Sequence, residues 1–205
     1  MARSDVQLML EVKAGDDSSF ELLLRKYRTP LVNFLYRMVR DSATAEDLAQ
    51  EVFLRVYRAR QKYAPSAKFT TWLFRIATNL ALNSIRDARY RQMEVSIDVP
   101  AEEDQTPLEI PAKEIPADQS LVERDRAALI RRAVESLPEK QRAAVLLHKY
   151  EEMDYAEIAS VLDCSESALK SLLFRAYEAL RIELAPLVAA QARSAASGTL
   201  KGRAL

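Results

Sequence analysis

The chain has 205 residues, with 30 Lys+Arg against 30 Asp+Glu, so its formal charge is zero. That balance hides an uneven distribution: residues 1–92 hold 16 basic and 10 acidic side chains, residues 93–120 hold 1 and 8, and residues 121–205 hold 13 and 12. One Cys and one His exclude an intramolecular disulfide, a Cys- or His-cluster metal site and a Cys/His catalytic pair.

Only three glycines occur, Gly15, Gly198 and Gly202, so no phosphate-cradling glycine loop lies between Arg28 and Leu187. Asn-Gly and Asp-Gly hairpin signals are missing too. The expected fold class is all-α: two small helical domains joined by a flexible acidic, Pro-rich linker. No paired-carboxylate constellation presents itself, so an enzyme is disfavoured, and no cofactor or small-molecule substrate is called for. No apolar run approaches membrane-span length, and Asp5 follows Arg3 without an apolar leader segment, which points to the cytoplasm.

In chain order, residues 4–14 read as a short amphipathic helix ending at Gly15. Residues 16–19 look like caps, with a helix restarting at Phe20. Its apolar positions Phe20, Leu23, Leu24, Tyr27, Leu31, Phe34, Leu35 and Met38 recur at three and four. Pro30 inside that pattern predicts a kink or break near Arg28–Thr29.

A third helix restarts at residues 42–45 and runs to about Arg60, with Glu46 and Asp47 expected in its first turn. Leu48, Val52, Phe53, Val56 and Ala59 form its buried stripe. Asp47, Gln50, Glu51, Arg55 and Arg58 lie on the other side. After a loop over 63–68, a long helix runs from Phe69 to about Gln92.

On that helix Arg75, Asn79, Asn83, Arg86 and Tyr90 step by four, four, three and four and so share one face. Arg89 and Arg91 add charge near the same end. Trp72, read with Phe69 and Phe74 as exposed aromatics, completes a set of cations, amides and rings suited to single-stranded nucleic acid.

Residues 93–120 carry four prolines and eight acids and read as an extended linker. Helices then follow at about 121–136, 138–150, 155–162 and 166–185, with a frayed tail from Pro186. The stretch Tyr155–Arg181 is a helix-turn-helix. Ile158 and Leu162 point inward from its first helix, and Leu169, Leu173, Ala176 and Leu180 from its second. Ser165 is the N-cap, and Asp163 sits in the turn where a left-handed residue is tolerated. The outward face presents Glu166, Ser167, Lys170, Ser171, Phe174 and Arg175, suited to phosphates and base edges in a major groove. Cys164 and His148 read as a small turn residue and a helix-surface histidine.

Three stretches in this order resemble a known family. They are Asp47–Tyr57 (DLAQEVFLRVY), Phe69–Arg91 (FTTWLFRIATNLALNSIRDARYR) and Leu137–Arg181, opening LPEKQRAAVLLHKYEEMDYAEIA. Together they are similar to the extracytoplasmic-function (ECF) branch of the sigma-70 family. The resemblance covers residues 4–92 and 121–185, and it implies the following expectations.

Residues 1–92 form a region 2-like domain, 93–120 the linker, 121–185 a region 4-like domain and 186–205 a flexible tail. Asp47, Gln50 and Glu51 contact the clamp helices of the largest subunit of core RNA polymerase, and the second domain meets the polymerase flap. Trp72, Arg75, Asn79, Asn83, Arg86, Arg89 and Arg91 meet the melted minus-ten strand. Ser165, Ser167, Lys170, Ser171, Phe174 and Arg175 meet the minus-thirty-five duplex. An anti-sigma factor is a further implied partner, and it can hold such a protein at the membrane.

The linker's 28 residues reach at most about 90–100 Å extended and average roughly 30 Å as a coil. Two turns of duplex span roughly 70 Å, so one promoter accommodates both modules only with the linker stretched. Two other readings stay open at this point. One is a stand-alone helix-turn-helix regulator, which leaves Asp47–Tyr57 and Phe69–Arg91 unexplained. The other is a sigma-like interaction protein without promoter activity.

Overall fold

In the computed structural model, residues 3–95 and 117–187 are described, and among them there are helices and no strand. The helices are α1 (Asp5–Lys13), α2 (Asp17–Val39), α3 (Ser42–Arg58), α4 (Phe69–Val95), α5 (Ala117–Glu135), α6 (Glu139–Lys149), α7 (Tyr155–Leu162) and α8 (Glu166–Glu183), with one 3-10 turn at Arg60–Lys62. None is long and apolar enough to cross a membrane, and no metal-holding group of three or more His, Cys, Asp or Glu occurs among the described residues.

Local capping sets most of the starts. Ser4 and Gln7 form a reciprocal capping box on α1. The Asp16 carboxylate accepts from Ser18 N–H, so α2 begins at Asp17, three residues before the expected restart at Phe20. The Ser18 and Ser19 hydroxyls hold the Asp16 carboxyl below the usual carboxylate range.

Pro30 does not break α2, which runs through it for 23 residues. The lost N–H costs one backbone bond, but Leu23, Tyr27, Leu31, Phe34 and Leu35 are buried on both sides of it. Asp41 caps α3 by accepting from Thr44 N–H at 2.6 Å. Glu46 and Asp47 consequently lie beyond the first turn, which holds no acid.

Helices α2, α3 and α4 pack on one another, with α1 laid across α2. Leu73, Phe74, Ala77 and Ala81 of α4 are buried against this core. Phe69 and Phe74 are therefore core residues, 2% and 1% exposed, and not exposed nucleic-acid platforms. Phe74 meets Phe34 edge-on at 5.3 Å between ring centres. Of the expected α3 stripe, Val52, Phe53 and Val56 are buried, Leu48 and Ala59 half-buried; Ala45 and Ala49 complete it.

The second group is α6, α7 and α8, with α5 against α8. Residues 96–116 of the expected linker lie outside the described residues. At its two ends the structure is helical: α4 continues to Val95 and α5 already begins at Ala117. The tail beyond 187 also lies outside them.

The two groups are not apart. Helix α7 lies on α4, and α6 touches both α2 and α4. His148 is half-buried, not a plain surface residue: its Nδ1 lies 2.6 Å from the Tyr177 hydroxyl, and the Tyr155 ring is 5.4 Å away. Burial lowers its proton affinity below that of a free histidine, and Lys149 adds to the effect.

Candidate nucleic-acid and polymerase interfaces

Three separate surfaces carry the residues singled out by sequence. The first is on α3. Asp47 and Gln50 are exposed and Glu51 is half-buried, one helical turn apart at most. Glu51 Oε1 accepts from Arg55 Nε at 2.7 Å, and this hydrogen bond holds its carboxyl below the ordinary glutamate range.

Beside this polar set runs an open groove of about 540 Å³ between α2 and α3. Phe20, Leu24, Val32, Phe53 and Leu54 line it, with Gln50, Glu46 and Arg28 at its edges. The groove was not legible as such, because Phe20, Leu24 and Phe53 read as ordinary stripe residues. The available signal was Leu54, an apolar side chain off the buried stripe that stands 48% exposed.

The second surface is on α4. Arg75, Asn79, Asn83, Arg86, Arg89, Tyr90 and Arg91 are all exposed, as their spacing demands. Trp72 is half-buried, its ring 5.2 Å from Tyr63 and 6.2 Å from Phe69 between ring centres. The indole thus packs partly on the core.

Arg91 Nε donates to the Asp87 carbonyl of its own helix at 3.4 Å. Arg75 faces Asp163 at 3.6 Å, and Arg89 pairs with Glu139, both acids belonging to the second helix group. Asn79, Asn83, Arg86 and Arg89 line a cleft of about 350 Å³ closed on its far side by Glu139 and Lys140. Sequence reading did not anticipate these acids, because each lies at least 50 positions along the chain from the arginine it meets.

The third surface is α8. Asp163 ends α7 with φ 53 and ψ 53, the left-handed conformation expected of the turn. Ser165 caps α8 by accepting from Ala168 N–H at 3.2 Å. Ser165, Ser167, Lys170, Ser171, Phe174 and Arg175 all stand exposed along one face.

Parts of that face are already ordered. The Ser165 and Ser167 hydroxyls are 3.1 Å apart, Ser171 Oγ donates to the Ser167 carbonyl, and Arg175 Nε donates to the Ser171 carbonyl. Lys170 makes no ion pair among the described residues. Phe174 is 67% exposed, an unusual position for a phenyl group. Leu172 is half-buried against the core, and so is not part of the outward face.

Comparison with known proteins bears on these three surfaces together. The model for Sigma-70 region 2 matches residues 23–91, which include the α3 and α4 surfaces. The model for Sigma-70, region 4 matches residues 127–180, which include most of α8. RNA polymerase sigma-H factor of Pseudomonas aeruginosa is 36% identical over 186 residues, covering 90% of this chain and 95% of that protein. ECF RNA polymerase sigma-E factor of Escherichia coli is 32% identical over 187 residues, covering 90% and 96%.

Two solved structures share the fold. CnrH in complex with the cytosolic domain of CnrY superposes with a TM-score of 0.63 at 20% identity, over 87% of this chain and 96% of that one. The sigma factor RpoE in complex with the anti-sigma factor NepR from Bartonella quintana gives 0.63 at 19% identity, over 80% and 96%. With near full-length relatives above 30% identity and both regional models in the right order, the chain belongs to the ECF branch of the sigma-70 family of RNA polymerase sigma factors.

Proposed function

We propose that the chain acts in the cytoplasm as a non-catalytic initiation subunit that binds core RNA polymerase and directs it to promoters, with each of the three surfaces taking one contact. The observation that carries this reading is the separation of chemistries. A polar-edged apolar groove, a cationic amide-bearing helix and an exposed recognition helix occupy different faces of one chain. A stand-alone duplex-DNA regulator needs only the last of these.

On this reading residues 1–92 bind polymerase and the minus-ten strand. Asp47, Gln50 and Glu51 meet the clamp helices of the largest subunit, and an apolar side chain from the same partner fills the adjoining groove. Fixed charge on the rim selects orientation, while the buried apolar contact supplies most of the affinity. The second unit, residues 121–185, meets the flap and the minus-thirty-five duplex.

Trp72 stacks at the upstream edge of the melted bubble. Asn79 and Asn83 offer both donor and acceptor to an unstacked base. Extruding that base costs a few kcal/mol, which a shaped site recovers. Arg75, Arg86, Arg89 and Arg91 neutralise the strand. On α8, Lys170 and Arg175 take phosphates or guanine edges, Ser165, Ser167 and Ser171 hydrogen-bond, and Phe174 packs on a thymine methyl. An anti-sigma factor that covers one or more of these surfaces is the expected regulator, and it can hold the protein at the membrane.

The test is transcription in vitro. Core polymerase plus this protein, given sheared DNA from the source genome, should yield transcripts whose upstream regions share two spaced elements. Core alone should not. Transcripts with no shared upstream elements would refute the reading.

A further inference from the structure

We infer that Glu166, the first residue of α8, reads a cytosine in duplex DNA, and so sets a base preference that the cations and hydroxyls of the same face do not. The inference rests on the proposed docking of α8 in a major groove and names a specificity-determining residue for it.

Glu166 opens α8 directly after the Ser165 cap, at the end that a recognition helix turns toward base edges. Its side chain is exposed, and its carboxylate makes no hydrogen bond or ion pair among the described residues. Lys170, one turn on, is exposed as well. A Glu followed by a Lys at that spacing is suited to pair, yet these two do not pair with each other. Both charged heads are therefore available to DNA.

The rest of the face is organised differently. Glu166, Lys170 and Phe174 follow one another by four and form one row along α8, while Ser167, Ser171 and Arg175 form the next. The second row is tied to its own backbone: Ser171 Oγ donates to the Ser167 carbonyl at 3.1 Å, and Arg175 Nε to the Ser171 carbonyl at 3.3 Å. The first row makes no such bonds. Its next member beyond Phe174 is Glu178, and that acid is already taken, with Arg181 at 2.9 Å. Glu166 is the acid of this row left without a partner.

A carboxylate in a major groove has few favourable outlets. Phosphates repel it, and so do guanine O6 and N7, adenine N7 and thymine O4. The donors on offer are cytosine N4 and adenine N6. Adenine carries its N7 acceptor beside that donor, whereas cytosine presents the donor alone, so the acid selects cytosine. The charge of Lys170 offsets the repulsion between the acid and the strands. Phe174 lies about 12 Å along the row from Glu166, and so meets a different base pair. An acid in the first turn also suits the helix dipole, but that role carries no base preference.

The test selects bound duplexes from a random-sequence pool twice, once with holoenzyme assembled from core polymerase and once with the full chain alone. Wild type is compared with Glu166→Gln, Glu166→Ala and Lys170→Ala, and with Glu178→Gln, which makes the same charge change at the far end of the row. Wild type should recover an element in which one C·G pair is favoured about tenfold over the other pairs. Glu166→Ala should bring that position close to indifference and leave the others unchanged. Glu166→Gln should shift it to A·T, since an amide bonds adenine N6 and N7 together. Lys170→Ala and Glu178→Gln should keep the C·G pair.

Unchanged preferences at every position in both Glu166 variants would overturn the inference while leaving α8 in the groove. Loss of the C·G pair in Lys170→Ala alone would overturn it too, by giving that pair to a guanine contact. Where the full chain alone recovers an element and holoenzyme does not, the polymerase reading fails and the Glu166 shift is judged on that element by the same criteria. No shared element in either selection would overturn both.

Discussion

Arg142 Nη1 donates to the Met38 carbonyl oxygen at 2.7 Å, across 104 positions of the chain. Its Nη2 donates to the carbonyls of Glu135 at 2.7 Å and Leu137 at 3.2 Å. One guanidinium thus closes the C-terminal ends of α2 and α5, where unpaired carbonyls and the helix dipoles both favour a cation. Burial, followed by the charge of Arg40, lowers its proton affinity; the carbonyls replace water at the two terminal nitrogens, while the buried Nε has no hydrogen-bond partner among the described residues.

Arg142→Met is expected to cost about 3 kcal/mol, because it leaves buried acceptors without donors. Arg142→Lys should recover only part, since an ammonium lacks the planar fork that reaches three carbonyls. Urea unfolding of the three proteins gives the comparison. Equal stability of the Met variant and wild type would show that the carbonyls find water instead.

Leu54→Asp tests the groove between α2 and α3. The side chain is half-exposed, so the fold should lose less than about 1 kcal/mol. Affinity for core polymerase should fall at least tenfold, because a charge would enter the apolar contact. Titration of labelled core polymerase measures this; unchanged affinity would mean that the groove is not part of the interface.

Lys170→Ala should weaken duplex DNA binding and lower the salt slope by about one unit, the mark of one lost phosphate contact. Phe174→Ala should weaken binding with the slope unchanged, since a phenyl group displaces no counterion. Fluorescence anisotropy over a salt series separates the two. Identical slopes for wild type and the Lys170 variant would remove Lys170 from the phosphate contacts.

Two groups make stability depend on pH in opposite senses. Burial pushes Glu151 up to about 7 from an ordinary value of 4.5, with Arg37 of α2 opposing the shift. The folded chain then holds that proton more tightly than the unfolded one. The stability it adds is full below about 4.5 and is lost as pH rises toward about 7. His148, lowered from 6.5, adds stability that is present above that value and is lost as pH falls through the folded value.

Glu151→Gln should therefore remove the decline between pH about 5 and about 7, by about 1–2 kcal/mol after allowance for solvent screening, and leave a curve that rises with pH through the His148 range. Thermal melts across that interval read it. A parallel decline in both proteins would exclude Glu151 as its source.

Much of this was legible in the chain because helical period, caps and the near absence of glycine act locally. The four-residue steps of Arg75, Asn79 and Asn83 are enough to put them on one exposed face, and Ser165 followed by an apolar period is enough to start α8. Two errors came from tertiary packing overriding a local rule. Pro30 is carried inside α2 because apolar residues before and after it share one core, and Phe69 and Phe74 are buried where a local reading left them outside.

The groove beside Gln50 and the seam onto α4 were beyond sequence reading for a different reason. Each depends on residues from separate helices meeting: Leu54 with Phe20, and Glu157 with Lys68 and Thr71. No spacing within one helix encodes that.

A polymerase subunit must travel with core polymerase. The most direct measurement is co-elution with core RNA polymerase on a sizing column, for wild type and for Glu51→Lys. Glu51 pairs with Arg55 at the helix surface, so the reversal leaves the fold intact. Wild type should travel with core polymerase, and the folded Glu51→Lys protein should elute alone. Wild type eluting apart from core polymerase, while folded and able to bind duplex DNA, would contradict it.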